Sequence, residues 1–368
     1  MSALALGRIN RDDTATELRQ MKEKLTAYTN AVALITANAH TITKASLQKV
    51  DAANPPAWWT TLSGNFTACQ GHAQTWIDTI YPSLTRVPQA IIDYNTYFQA
   101  TAGRIDRLLQ AMEGKTPTEE QKKTLLSLLN LLVNKLSACR TEVEAVRADI
   151  KVFTQEMAAD HKALTTGSAS ITAAIEDTNK NVTRLKLRIE ALRLEIVALN
   201  AQLTAASVAL GASLVVGFVG MTFLPFIMIP IAIIGAGVSI GFMIDAIVRL
   251  NETHQEIADD AAELTKNEKQ ALVLAAIAST VDALVGSIDQ ITSNIDIVSS
   301  TWATLDVKLR SVITSIKAAR DEHWLDIVAQ EIDIDTSREA WKQLQAFAEK
   351  LQQVNLVVTD ETIPIHAA

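Results

Sequence analysis

Apolar positions recur along most of this chain at alternating steps of three and four residues. Leu18, Met21, Leu25, Tyr28, Val32, Ile35, Ala39 and Ile42 form one such stripe. Leu129, Leu132, Leu136, Cys139, Val143, Val146, Ile150, Phe153 and Met157 form a second, and a third runs from Ile171 through Val182, Ile189 and Ile196 to Leu203. The longest starts at Leu274 and continues through Leu284, Ile291, Val298, Trp302 and Leu309 to Ile316. A period near 3.5 keeps one face of a helix turned toward partner helices along its whole length. Four such rods in one chain predict an all-α fold, an elongated antiparallel bundle of long heptad-patterned helices. At ~1.5 Å rise per residue, the stretch from Ile257 to Arg320 would reach about 95 Å if unbroken.

The breaks are few. Asn54-Pro55-Pro56 ends the first helix, and Pro82 and Pro88 interrupt the region after Trp76. Thr116-Pro117-Thr118-Glu119 reads as a helix start, with Thr as N-cap, Pro in the first turn and Glu reaching back. Gly167 sits between two heptad runs and is read as a bend. After Ile332 the pattern resumes with Trp341, Leu344, Phe347 and Leu351, and the tail from Val357 reads as frayed.

One segment abandons the pattern. Residues 196–244 carry no charged side chain, and Leu214–Ile244 reads LVVGFVGMTFLPFIMIPIAIIGAGVSIGFMI. One transmembrane helix needs ~20 apolar residues, so this length suits two. Gly211, Gly217, Gly220, Gly235, Gly237 and Gly241 fall inside it, and its Val, Ile and Phe content suits a strand as well as a helix. In water it can fold as a β-hairpin or as short helices. In lipid, where every backbone group must bond internally, it can form two helices. The chain thus divides into a first tail part (1–204), a hydrophobic head (205–249) and a second tail part (250–368).

The energetics of insertion are favourable. Eight Leu, Val or Phe residues lie between Leu203 and Thr222, and at about −0.3 to −0.6 kcal/mol each they contribute roughly 2–5 kcal/mol. The second span, Phe226–Ile244, is ~29 Å long as a helix, close to the hydrocarbon thickness. Asp245 would cost about 2.5–3.5 kcal/mol at the bilayer centre, which places it at the interface with Arg249, one turn on. Pro225 and Pro230 put the turn at the far side. Gly237 and Gly241 form a GxxxG pair, and Ser213 with Gly217 a small-xxx-small pair, so both spans allow close helix packing.

Charge and chemistry narrow the alternatives. The net charge is −8, and no basic cluster suited to nucleic acid appears. No nucleophile elbow, P-loop, HExxH or dinucleotide fingerprint is present, so nothing points to an enzyme or to a cofactor. His40, His72, His161, His254, His323 and His366 never pair at metal-ligand spacing. Cys139 falls on an apolar seam and reads as a buried thiol, while a bridge to Cys69 stays open. Asp259/Asp260 and Asp333/Asp335 read as solvated acids. Trp58, Trp59, Trp76 and Tyr81 read as the cap of a bundle end, with membrane or receptor contact as the alternative. The N-terminus lacks the basic start and apolar core of a cleaved signal. Two functions fit these residues: a constitutive two-span membrane tether, and a scaffold coiled coil with a buried apolar hairpin; a third, a pore-forming toxin component, comes from a family resemblance.

The long heptad helices around a central uncharged hairpin with LPFIMIP at its tip resemble the cytolysin A family of α-helical pore-forming toxins. The relatives include haemolysin BL and the non-haemolytic enterotoxin, and the layout is most similar to the B component of Gram-negative tripartite toxins. The resemblance implies a five-helix tail bundle and an apolar head that unpacks on the target membrane. It implies membrane-inserting residues at Leu203, Leu210, Leu214, Val215, Val216, Phe218, Val219, Phe223, Leu224, Pro225, Phe226, Ile227, Met228, Ile229, Pro230, Ile231, Ile233, Ile234, Val238, Ile240, Phe242 and Ile244. Gly217, Gly237 and Gly241 would pack the helices, and Asp245 and Arg249 would lie at the interface. It further implies a secreted, soluble protein that inserts into the target-cell bilayer and oligomerises with partner components, one of which carries an amphipathic head.

Overall fold

The computed structural model describes residues 11–45, 57–176, 214–224, 227–236, 266–332, 334–353 and 356–364, with scattered positions between 187 and 202. Their order is α1 (Arg11–Lys44), α2 (Ala57–Thr75), a π-helical turn (Trp76–Ile80), α3 (Tyr81–Ser83), α4 (Arg86–Met112), α5 (Glu119–Glu176), β1 (Leu214–Leu224), β2 (Ile227–Ala236), α6 (Lys266–Ala318), a 3-10 turn (Asp321–His323), α7 (Trp324–Glu331), α8 (Ile334–Gln353) and β3 (Leu356–Pro364). The fold is a bundle of long helices with one small sheet. The heptad stripes are its core: Met21, Leu25, Ile35, Leu136, Val143, Phe153, Ile288, Ile295, Trp302 and Ile316 are all buried. Burying a Leu, Ile or Phe side chain contributes about 1.5–3 kcal/mol, so these stripes hold the helices together. The stripe from Thr178 to Leu203 lies outside the described residues.

The chain forms two compact units. The first is built from Met1–Ala27, Leu84–Ala148 and Ser293–Gln352. Its core gathers Ile105, Met112, Leu129, Leu132, Val312, Ile316, Trp324 and Val328. An aromatic cluster, unforeseen in the sequence, sits in the same unit. Tyr94 lies 4.5 Å from Trp341 and 5.5 Å from Trp302, centre to centre. Burial in this cluster pushes the Tyr94 hydroxyl pKa up. Arg338 of α8 holds Asp106 of α4 at 2.7 Å, and Gln99 donates to its backbone carbonyl. Lys122 pairs with Glu119 and with Asp321, and lies 5.9 Å above the Trp324 ring.

The start of α5 differs in detail from the expectation. Thr118, not Thr116, is the cap: its Oγ1 accepts from the Gln121 N–H at 3.2 Å. Gln121, not Glu119, reaches back to the Thr118 N–H at 2.9 Å. This reciprocal pair is a capping box two residues further on. Before it, Gly114 adopts φ 65°, which closes α4 with a left-handed residue.

The second unit is built from Tyr28–Ser83, Asp149–Thr292 and Gln353–Ala368. Trp76 is fully buried in it, donates its indole N–H to Thr36 Oγ1 at 2.9 Å and tilts against Phe153 at 5.1 Å. It is therefore a core residue here. The ladder widens to π spacing at Trp76–Ile80, where Pro82 cannot donate to the carbonyl four residues back. Pro88 lies in the first turn of α4, where the missing N–H costs little. Gln70 caps the C-terminus of α1, its amide donating to the carbonyls of Ile42, Thr43 and Ala45. Gly167 is not a helix end: α5 runs through it. A Cβ there would meet Leu62 Cδ1 at 3.0 Å, so this glycine allows close packing. Cys69 and Cys139 are both free and buried, which removes the bridge.

Candidate functional site

The uncharged segment forms an antiparallel hairpin of two strands. The pairing runs from Leu214 with Ala236, through Val216 with Ile234 and Phe218 with Ala232, to Thr222 with Met228, then shifts at Phe223 so that Leu224 pairs Ile227. Of the two soluble forms left open by the sequence, the strand pair is the one adopted. Its composition explains this, since β-branched and aromatic residues fit a pleated ribbon and repeated Gly disfavours a helix in water.

A third strand completes the sheet, in the order β2-β1-β3. The tail from Leu356 to Pro364 is thus not frayed. It pairs parallel with β1, Leu214 with Leu356, Val215 with Val357 and Val216 with Val358, then Phe218 with Thr362, Val219 with Ile363 and Gly220 with Pro364. The signal was present in its Val-Val-Thr and Thr-Ile dipeptides, which favour strands. Gly220 faces Pro230 in one neighbour and Pro364 in the other. Both prolines lie on edge strands, the positions where a missing N–H breaks no central ladder.

The candidate residues divide accordingly. Leu214, Val215, Val216, Gly217, Phe218, Val219, Phe223 and Leu224 lie in β1. Ile227, Met228, Ile229, Pro230, Ile231, Ile233 and Ile234 lie in β2. Leu203, Leu210, Pro225, Phe226, Gly237, Val238, Ile240, Gly241, Phe242, Ile244, Asp245 and Arg249 lie outside the described residues. Successive strand residues fall on opposite faces, and β1 and β2 read apolar at both parities. No described helix is long and apolar enough to cross a membrane.

The helices of the second unit add polar contacts. His72 of α2 meets Asp160 of α5 at 2.7 Å. His161, the next residue, meets Asp282 of α6 at 3.4 Å. Asp160 is held above the usual carboxylate range by burial, partly offset by the hydrogen bond from His72. Burial, with Asp160 nearby, pushes the Cys69 thiol up to about 12, so it stays protonated and unreactive at neutral pH. Among the described residues no group of three or more His, Cys, Asp or Glu could hold a metal ion.

The whole architecture has counterparts. The cytotoxin MakB from Vibrio cholerae has the same fold at a TM-score of 0.74 and 16% identity, over 96% of each chain. Soluble SmhB of the tripartite alpha-pore forming toxin Smh from Serratia marcescens matches at 0.71 and 14%, over 95% of each chain. The Bacillus cereus HblL1 toxin component matches at 0.68 and 17%, over 92% of this chain and 97% of its own. No curated protein matches the sequence. The model of the Bacillus haemolytic enterotoxin (HBL) family does match it, over residues 15–198. Half of the chain fits that model and nearly all of it shares the fold of such toxin components, so the chain belongs to the Bacillus haemolytic enterotoxin (HBL) family, a family of toxins and not of enzymes.

Proposed function

We propose that this protein is the membrane-inserting component of a multi-component α-pore-forming toxin. The observation that carries the reading is the uncharged β1–β2 hairpin, set in a chain whose other long elements are heptad helices. The head, residues 205–249, is the part that enters the bilayer. An open sheet cannot cross hydrocarbon, because its edge strands leave N–H and C=O groups without partners. The head therefore converts to two helices, one ending near Thr222 and the other running from Phe226 to Ile244. Gly217, Gly237 and Gly241 let them pack closely. Asp245 and Arg249 stop at the interface, since an Asp at mid-bilayer would cost about 2.5–3.5 kcal/mol.

The same composition calls for a partner. A water-filled pore needs a polar inner face. Along Leu203–Thr222 the hydroxyl residues are Thr204, Ser207, Ser213 and Thr222, and along Phe226–Ile244 only Ser239. These make no stripe long enough to line ~30 Å of hydrocarbon. A second toxin component with amphipathic head helices supplies the wet wall, and the two assemble as a hetero-oligomer on the target cell. SmhB is described as part of a tripartite toxin, which supports this arrangement.

Dye release from phosphatidylcholine–cholesterol vesicles tests it. The protein alone should float with vesicles and leak them poorly. Efficient release should appear when a helical component with an amphipathic hairpin is added. Full lysis by the lone protein, at the concentration where the mixture works, would make it a single-component toxin. Failure to bind vesicles in either case would leave the hairpin as a scaffold element.

A further inference from the structure

We infer that β3 is a clasp on the head, which must leave β1 before the hairpin can enter lipid. The inference rests on the membrane-inserting reading above and names the step that controls it. β1 is the central strand, bonded to β2 on one side and β3 on the other. The two sides are unequal. The β2 pairing is antiparallel and continuous from Leu214 to Thr222, and its strands are joined through Pro225 and Phe226. The β3 pairing is parallel, the less stable kind per residue, and it is interrupted. After Val216 with Val358, the next pair is Phe218 with Thr362. Thr359, Asp360 and Glu361 thus stand opposite Gly217 alone, a bulge that breaks the ladder in its middle.

Charge separates the strands in the same sense. β1 and β2 carry no charged residue, whereas β3 carries Asp360 and Glu361 at its bulge. Charged bulges on an edge strand protect a sheet from adding further strands in water. The same carboxylates bar β3 from following β1 into hydrocarbon. A transmembrane helix satisfies each backbone group within its own segment, so no β1 group can remain bonded to β3 after insertion. The order of events is therefore fixed: β3 leaves across its broken parallel ladder, β1 is left with one bare edge, and the hairpin converts on meeting lipid. While β3 is in place, it covers the β1 edge and holds the soluble form.

The test is a reversible covalent lock on the full chain. Val215→Cys with Val357→Cys places thiols at register partners on one side of the bulge, and Val219→Cys with Ile363→Cys does so on the other. The native Cys69 and Cys139 are buried and do not compete. Each variant, oxidised or reduced, is floated with phosphatidylcholine–cholesterol vesicles beside the wild type. The expected result is that each oxidised form floats at least about tenfold less than its own reduced form, because a closed disulfide prevents strand separation. Addition of dithiothreitol should restore flotation. An oxidised form that floats as well as its reduced form, with the bridge verified intact, overturns the clasp and leaves the membrane reading standing. If neither pair cross-links in solution, β1 and β3 are not register partners and the clasp falls as well. If the wild type fails to float, the membrane reading itself is wrong.

Discussion

In α6, Val281, Leu284, Ile288, Ile291, Ile295 and Val298 are all at 0% exposure, while Val307, off the stripe, is 66% exposed. Each position has one place, set by a period that matches one rod against its neighbours. The β1–β2 hairpin has no such division. Its apolar residues occupy both parities of both strands, without a charge to mark an outside. A helix with one apolar stripe is committed to the partners that cover it. A ribbon apolar at both parities is compatible with a sheet in water and with helices in lipid, because only the backbone partners differ. The contrast sets a scaffold with fixed partners against the segment proposed above to change.

The largest effect should come from charging the changeable part. Ile234→Asp, at the register partner of Val216, should reduce vesicle binding about 100-fold, since a mid-span Asp costs about 2.5–3.5 kcal/mol. Thermal unfolding followed at 222 nm should be unchanged, because the heptad stripes are untouched. Vesicle flotation and lysis at the wild-type level would break the comparison, for the head would then not be the inserting part. The converse substitution belongs in the scaffold. Trp302 is fully buried against Tyr94 and Trp341. Trp302→Ala should cost about 3–5 kcal/mol in urea unfolding, while the protein that remains folded binds vesicles normally. A large loss of binding by folded Trp302→Ala would show that the scaffold also sets the membrane step.

How much of this was legible in the sequence follows from the same contrast. The described helices were, because a strict three-four step over many turns has no other stable reading. So was the uncharged segment, whose lack of charge stands out at any scale, and the strand form of its described part was one of two offered by its Val, Ile and Gly content. Short-range details were less secure. Thr116 and Thr118 are both plausible caps, and only the Gln121 side chain decides between them. Gly167 carries no mark that separates a bend from a close approach to Leu62. The aromatic cluster of Tyr94, Trp302 and Trp341 draws on three distant segments, so no local pattern announces it. β3 was lost for the same reason: its partner lies on β1, and a parallel pairing between distant segments leaves no turn signal.

A smaller effect, with a pH signature, concerns the scaffold's polar contacts. Asp160 is nearly buried and has His72 as its hydrogen-bond partner. His72→Ala would leave that carboxylate buried without it, at a cost of about 1–3 kcal/mol near pH 7. Burial raises the Asp160 pKa above its ordinary value. A raised carboxyl pKa means that the native state binds the proton more tightly than the unfolded chain, so its contribution favours folding at low pH and is lost as pH rises through the native value. The deficit of His72→Ala should therefore shrink on acidification, as Asp160 takes up its proton. Urea midpoints measured from pH 7 down to pH 4 check it. A deficit that stays level or grows toward pH 4 would overturn this account of Asp160.

The smallest effects test what the scaffold's glycines do. In α4, a Cβ on Gly103 would meet nothing within 4 Å, whereas Gly114 sits at φ 65° after the helix end. Gly103→Ala should stabilise the protein by about 0.5–1 kcal/mol, since alanine removes backbone freedom from the unfolded chain and fits the helix. Gly114→Ala should destabilise it by about 1–2 kcal/mol, because the left-handed conformation brings a Cβ close to the following carbonyl. Neither should alter vesicle flotation, because neither residue lies in the head. Urea unfolding and flotation of the two variants side by side give both readings. Opposite shifts in stability with equal flotation would assign these two glycines to helix geometry alone. A change in flotation from either would tie a helix end of the scaffold to the membrane step, and the division between a fixed bundle and a changeable head would have to be redrawn there.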